Sequence, residues 1–270
     1  EKPAASDTDI PENLPVEEQE TEITDVSDFD YISEKGKIVI GYTDYAPMNY
    51  TDDEGEFTGF DTELAIAVCE KLGLTPEFVE INWDTKEIEL EAKSIDCIWN
   101  GLTITPSRQD AMSISDPYVK NAQVVIVKKG SGISGTADLI DKTVVAEVSS
   151  AGEMQILGDD ENEPEENLAQ AKYVAVNYQK DCLLEVKSGT ADAAVLDWTL
   201  AMTMIGEGTS YDDLEMIEGL ELATEEYGIA FRKGSDITEK VNAALRELVE
   251  DGTLPALAEK YGLSLAPTIS

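Results

Sequence analysis

Residues 96–108 read DCIWNGLTITPSR, and the change of character along this stretch sets the fold class. Residues 95–99 read as a short buried-type strand. Asn100 and Gly101 leave it as loop residues. Thr105 and Pro106 then open a helical turn, with Thr as N-cap and Pro at the first helical position. That turn presents Arg108. The same strand–loop–helix unit recurs in both directions. Toward the N-terminus, residues 38–40 and 77–81 predict strands. Residues 61–72 predict a helix, with Phe60, Leu64, Val68 and Leu72 at four-residue spacing and Gly73 as its stop. Residues 86–93 predict a short helix. Toward the C-terminus, strands are expected at 124–127, 143–148, 173–176, 191–196, 214–217 and 228–231. Helices are expected from Ser149-Ser150, over 179–187, 198–205 and 237–250, and finally over 254–261. Such alternation predicts an α/β architecture with mostly parallel sheets. It does not choose between one sheet and two.

The 270 residues carry a formal charge of −38, from 19 Lys+Arg against 57 Asp+Glu, with no His. That length allows one or two domains. Such acidity excludes whole-surface nucleic-acid binding, because phosphate neutralisation needs Lys and Arg. The lack of His excludes Ser-His-Asp and Cys-His catalysis and His-ligated metal. Residues 1–30 hold 11 of the acids and one Lys. This stretch reads as a flexible tether, kept extended by self-repulsion. Cys69, Cys97 and Cys182 lie far apart and read as buried small apolar residues, not a disulfide framework. No apolar run approaches the ~18 residues of a membrane span. With no initial Met and no signal h-region, the chain reads as mature or trimmed.

Scarcity of bases singles out Arg108, the sole Arg before position 232. Its guanidinium either pairs with a surface acid or grips a ligand carboxylate through two parallel bonds. Thr103 adds a hydroxyl nearby, and Gly101 lets backbone approach a ligand. At 144–153, VVAEVSSAGE runs a strand into Ser149-Ser150-Ala151. This is an ordinary N-cap or an anion site made of free N–H groups. At 191–198, ADAAVLDW places Asp197 after a strand, as a helix cap or an ammonium partner. Tyr45 and Trp83 follow apolar runs and either flank a ligand or cap a core. The sequence contains no GxGxxG after a strand, no GxxxxGK[ST] and no GxSxG.

Three segments carry a further signal: GYTDYAPMNY (41–50), GEFTGFDTELAIAV (55–68) and SIDCIWNGLTITPSRQDAMSISDPY (94–118). In order and spacing the chain resembles, over about 37–263, the extracytoplasmic solute-binding proteins of ABC transporters for polar amino acids. This is bacterial family 3, with the periplasmic-binding-protein type 2 fold. The resemblance implies a two-lobed α/β fold with two mixed sheets joined by two hinge strands. Residues 31–119 and 222–270 would form lobe 1 and residues 120–221 lobe 2, with crossings near 118–123 and 219–224. A zwitterionic amino acid would be clamped between the lobes by a monomer and delivered to an ABC transporter permease, with no cofactor and no catalysis.

Carried over by residue, Arg108 would hold the ligand carboxylate, helped by the Thr103 backbone and by N–H groups at Ser150 and Ala151. Asp197, the Asn100 carbonyl and the Thr103 hydroxyl would take its ammonium, beside Gly101. Tyr45 and Trp83 would sandwich the ligand side chain. Two departures stand out. Gly-Thr-Thr is replaced by Ser149-Ser150-Ala151, which loses a hydroxyl at Ala151. Members that take basic amino acids often carry an acid where Tyr42 stands. Glu147, at a strand end, partly replaces it, so the resemblance leaves a cationic side chain open. The resemblance also implies an extracytoplasmic place, in the periplasm or lipid-anchored through a Cys before residue 1. A cyclohexadienyl (prephenate or arogenate) dehydratase with Glu147 or Glu153 as acid, and a ligand-binding sensor module, are the rival readings.

Overall fold

Every run expected as a strand becomes one, and they join a single hydrogen-bonded ladder. The computed structural model describes residues 27–159 and 161–269. The first half holds α1 (Asp28–Lys35), β1 (Lys37–Tyr42), β2 (Tyr50–Thr51), β3 (Phe57–Thr58), α2 (Phe60–Leu72), β4 (Thr75–Glu80), α3 (Lys86–Glu91), β5 (Cys97–Thr103), α4 (Pro106–Ala111) and β6 (Ser113–Ile114). Then come β7 (Val119–Lys128), β8 (Thr143–Glu147), α5 (Ala151–Leu157), β9 (Lys172–Val176), α6 (Gln179–Ser188), β10 (Ala193–Asp197) and α7 (Trp198–Met204). The chain closes with β11 (Leu214–Phe231), α8 (Ile237–Glu250) and α9 (Thr253–Tyr261).

Strand order is β4-β1-β5-β11-β7-β10-β8-β9, with β6 beside β11 and a separate β2-β3 hairpin. The outer triplets are parallel: β1 pairs with β4 and β5, and β8 with β9 and β10. Antiparallel pairing joins β5 to β11, β11 to β7 and β7 to β10. The sheet is therefore mixed, and parallel pairing is confined to its two ends. β5 and β10 are buried at every residue, as strands covered on both faces must be. α2 buries Phe60, Leu64 and Val68, and α8 buries Ile237, Val241, Ala244, Leu245 and Leu248, the stripes that periodicity predicts.

Two regions differ from expectation. The separate strands expected at 214–217 and 228–231 are one 18-residue strand, β11. Local pattern assigns no strand to residues 218–227 between them, yet Glu221 to Tyr227 pair with Val124 to Val119 of β7. Neighbouring strands thus override a weak local propensity. The register slips around Glu221, so the crossing is irregular. The second difference is α1. Composition groups residues 27–30 with the acidic stretch, but Ser27 caps a helix by accepting from the Asp30 N–H at 3.0 Å. Asp28 pairs with Arg232 at 2.8 Å, and Ile32 is buried in the core. The rest of the expected tether, residues 1–26, lies outside the described residues.

Candidate functional site

Strand ends make the site. In open α/β sheets the crevice beyond the carboxyl ends of strands is where ligands bind. Here β1 runs out into Thr43-Asp44-Tyr45, β8 ends on Glu147 and β10 ends on Asp197. Together with the end of β5 they surround a tightly closed cavity of about 10 Å³. Its walls include all ten residues singled out from sequence: Tyr45, Trp83, Asn100, Gly101, Thr103, Arg108, Glu147, Ser150, Ala151 and Asp197. Thr43, Asp44 and Gln179 complete the lining.

Arg108 forms the cationic wall. Thr105 Oγ1 caps α4 by accepting the Arg108 N–H at 3.2 Å, which turns the side chain inward. The residue is only 3% exposed. Its guanidinium donates to the Thr103 carbonyl at 2.8 Å and across the cavity to the Ser149 carbonyl at 3.1 Å. It is therefore not a surface ion pair. Burial lowers its pKa, while Glu225, Glu87, Asp197 and Glu147 act in the opposite sense. A second buried cation, Lys86, donates to the Trp83 carbonyl at 3.1 Å and to Ser149 O at 3.3 Å, with its Nζ 4.9 Å from the Trp83 ring centroid. Burial, with Arg108 nearby, pushes Lys86 down to about 7.

Asp197 forms the anionic wall and is also 3% exposed. It stands at the N-cap of α7 but its side chain makes no cap bond. Its carboxylate accepts instead from Asn121 Nδ2 at 2.8 Å, from Gln123 Nε2, and from Gln179 Nε2 at 2.5 Å. The same Asn121 and Gln123 amides donate to Glu225 at 2.5 and 2.8 Å. Two carboxylates thus share two amides, and burial with the Asp197 charge raises the Glu225 pKa. Glu147 is buried beside them. Burial first, and Asp197 second, push it up to about 8.

Several expected contacts are already committed. Both side-chain atoms of Asn100 are held: Oδ1 accepts from Thr43 N and Oγ1, and Nδ2 donates to Thr43 O and Asn49. The Thr103 hydroxyl donates to Glu225 at 3.0 Å. Ser150 N–H donates to Glu147 O at 3.3 Å, and Ser150 Oγ caps α5 by accepting from Glu153 N at 3.1 Å. Glu153 in turn accepts from Ser149 N at 2.7 Å and from Tyr173 OH at 2.7 Å, so its carboxylate is committed to holding the start of α5. The Tyr45 hydroxyl meets Thr199 Oγ1 at 2.5 Å and Tyr227 OH at 2.6 Å. Beneath the site, buried Asp61 accepts Gly101 N–H at 2.7 Å and Tyr118 OH at 2.8 Å, and burial pushes it up to about 7.

Residues 38–264 match the family described as bacterial extracellular solute-binding proteins, family 3. The chain belongs to that family. The arginine-binding extracellular protein ArtP of Bacillus subtilis is 33% identical over 234 residues, 85% of this chain and 87% of the relative. The P235GK mutant of ArgBP from T. maritima aligns with a TM-score of 0.78 at 33% identity, over 87% of this chain and 99% of that one. The ancestral amino acid-binding protein AncCDT-1, described as a precursor of cyclohexadienyl dehydratase, aligns at 0.76 and 31% identity, over 87% and 99%.

In this family 3 chain the fold is the two-lobed type 2 arrangement, with β7 and β11 as the strands that run through both halves. Sequence reading missed Lys86, Asn121, Gln123, Gln179 and Glu225. A signal existed for two of them. Asn121 and Gln123 sit two apart in a strand, so both point to one face. Nothing local marked Lys86 or Glu225, which matter only through what the other half brings to them.

Proposed function

We propose that the chain captures a free α-amino acid between its lobes. The observation that carries this is the pair Arg108 and Asp197: one buried cation and one buried anion that line the same small cavity. A zwitterion needs both, oppositely placed. Arg108 takes the carboxylate together with the Ala151 N–H, and Asp197 takes the ammonium. Tyr45 and Trp83 flank the ligand side chain. Relatives named as binding proteins support capture rather than dehydration.

Residues 31–119 with 222–270 act as lobe 1 and residues 120–221 as lobe 2, closing about β7 and β11. Contacts between the two sets of residues support this reading: Tyr45 with Thr199, Asp84 with Ser149 Oγ at 2.7 Å, the Asp44–Lys180 ion pair, and both buried cations on Ser149 O. A ligand held by both walls favours that closed state, because only there are both sets of contacts made. The loaded protein, as a monomer outside the cytoplasm, passes the amino acid to an ABC importer. The test is isothermal titration with the common amino acids. Arg108→Ala and Asp197→Ala each remove charge-assisted bonds worth roughly 1.5–3 kcal/mol apiece. Each variant is expected to abolish measurable binding while retaining a cooperative melt. Normal affinity in either would refute the assignment.

A further inference from the structure

We infer that Glu225 is a positioning residue for amino-acid capture: from outside the cavity it fixes the Asp197 carboxylate through the amides of Asn121 and Gln123, and it gives up a proton when the amino acid binds. This rests on the amino-acid reading above. Four adjacent strands carry the row of groups. Asp197 on β10 lies opposite Gln123 on β7, and Asn121, two residues away, lies opposite Glu225 on β11. β5 flanks the other side of β11, and its Thr103 hydroxyl donates to Glu225 Oε1 at 3.0 Å. The Thr103 carbonyl in turn holds Arg108 at 2.8 Å. Glu225 is thus the link between the anionic wall and the cationic wall, although it does not line the cavity itself.

The amides are divided evenly between the two acids. A side-chain amide nitrogen has two hydrogens to give. Asn121 Nδ2 donates to Asp197 Oδ1 at 2.8 Å and to Glu225 Oε1 at 2.5 Å, and Gln123 Nε2 donates to the same two oxygens. In that orientation Gln123 Oε1 has no partner among the described residues. A buried acceptor left without a donor is costly, so the pull of the two acids on its nitrogen outweighs that cost. Without Glu225 each nitrogen would keep a buried hydrogen with no acceptor, and both amides could turn away from Asp197.

The same row sets where the proton of the pair resides. Burial first, and the Asp197 charge second, favour the protonated form of Glu225. With three donors on Oε1, that proton belongs on the other oxygen. The further groups that face Glu225 are Arg108 of α4, Tyr227 and Glu226 of β11 and Lys120 of β7. Lys120 and Glu226 share with it a second groove, open to solvent, which gives the proton a route that avoids the cavity. A ligand ammonium on Asp197 cancels the charge that helps to hold the proton, so binding releases it and affinity rises with pH. A ligand carboxylate on Arg108 acts in the opposite sense, but Thr103 stands between Arg108 and Glu225, whereas Asp197 and Glu225 touch the same two nitrogens.

The experiment is titration calorimetry of the full chain with the common L-amino acids one by one at pH 7, then with the tightest of them at steps from pH 6 to 8.5. Wild type, Glu225→Ala and Glu225→Gln are compared. Ala is expected to weaken binding ~10-fold, the equivalent of one charge-assisted contact. Gln keeps an acceptor for the three donors and is expected to rescue most of that loss. Wild-type affinity is expected to rise with pH by at most ~10-fold per unit for one proton. The rise should shrink in Glu225→Gln, in which Glu147 and Lys86 still titrate. Buffers of different ionisation enthalpy read the proton directly, and wild type should release more than Glu225→Gln. Where Glu225→Ala does not fold, the comparison of wild type with Glu225→Gln decides alone. Undiminished affinity in a folded Glu225→Ala, or the same pH slope and proton release in wild type and Glu225→Gln, overturns the inference and leaves amino-acid capture standing. No binding of any amino acid by the wild type overturns the underlying reading and the inference with it.

Discussion

Replacing Gly101 by Ala tests how tightly the floor of the cleft is built. Gly101 has φ +60°, and a Cβ there would lie 2.8 Å from Tyr45 Cε1, 3.1 Å from Tyr227 Cε2 and 3.4 Å from Met48 Cγ. All three neighbours are buried. The left-handed conformation costs an L-residue roughly 1–2 kcal/mol. Crowding a packed core adds ~1–3 kcal/mol, so the loss is ~2–5 kcal/mol in all. For a chain of this size that lowers Tm by ~4–20 °C. The two rings that must move carry the hydroxyls that join Tyr45, Tyr227 and Thr199, so that hydrogen-bonded cluster is displaced too. Gly36→Ala is the matched control. Its φ is +66°, but nothing lies within 4 Å of its Cβ. It should show the dihedral cost alone. The assay is urea and thermal melting without ligand, then calorimetry with the amino acid found to bind. Gly101→Ala should lose more stability than Gly36→Ala and should alone lose affinity. Equal losses in the two variants would refute the packing argument.

Two further outcomes follow from burial. Asp61 and Glu147 have folded-state pKa values of about 7 and about 8, above the usual 3.8 and 4.5. A carboxyl raised on folding holds its proton in the native state, so its stabilisation is complete at acid pH and disappears as pH rises through the folded value. Ligand-free protein should therefore lose stability between pH 5 and 7, by up to ~1.4 kcal/mol per pH unit for each group. Lys86, lowered to about 7 from 10.5, works the opposite way only above that. Melting at stepped pH checks this, and Glu147→Gln should flatten the slope; a profile rising from pH 5 to 7 would contradict it. The three cysteines are buried, and burial pushes the Cys69 thiol up to about 12 and raises Cys97 and Cys182 as well. A thiol reagent at neutral pH should label none of them in the native protein and all three in denaturant.

Local pattern decides what can be read without coordinates. The stripes of α2 and α8 and the capped turn that carries Arg108 are short-range features, so sequence alone placed them. Sequence also named the ten cavity residues, although their grouping came from the family resemblance and not from spacing. Reading failed where a residue's state depends on a distant partner. The acidic middle of β11 is a strand because β7 runs beside it about 100 positions earlier.

Arg108, Asp197 and Glu147 show the same division. Their charges are written in the sequence, along with every alternative use: surface pair, helix cap, solvated strand end. Tertiary structure decided among these uses by removing water. A guanidinium at the surface finds any acid, whereas a buried one must take the carbonyls that Thr103 and Ser149 present. A carboxylate in water needs no partner, whereas one left without a donor inside a closed cavity does. Sequence alone determined which charges this protein has, and the fold decided which of them a ligand must answer.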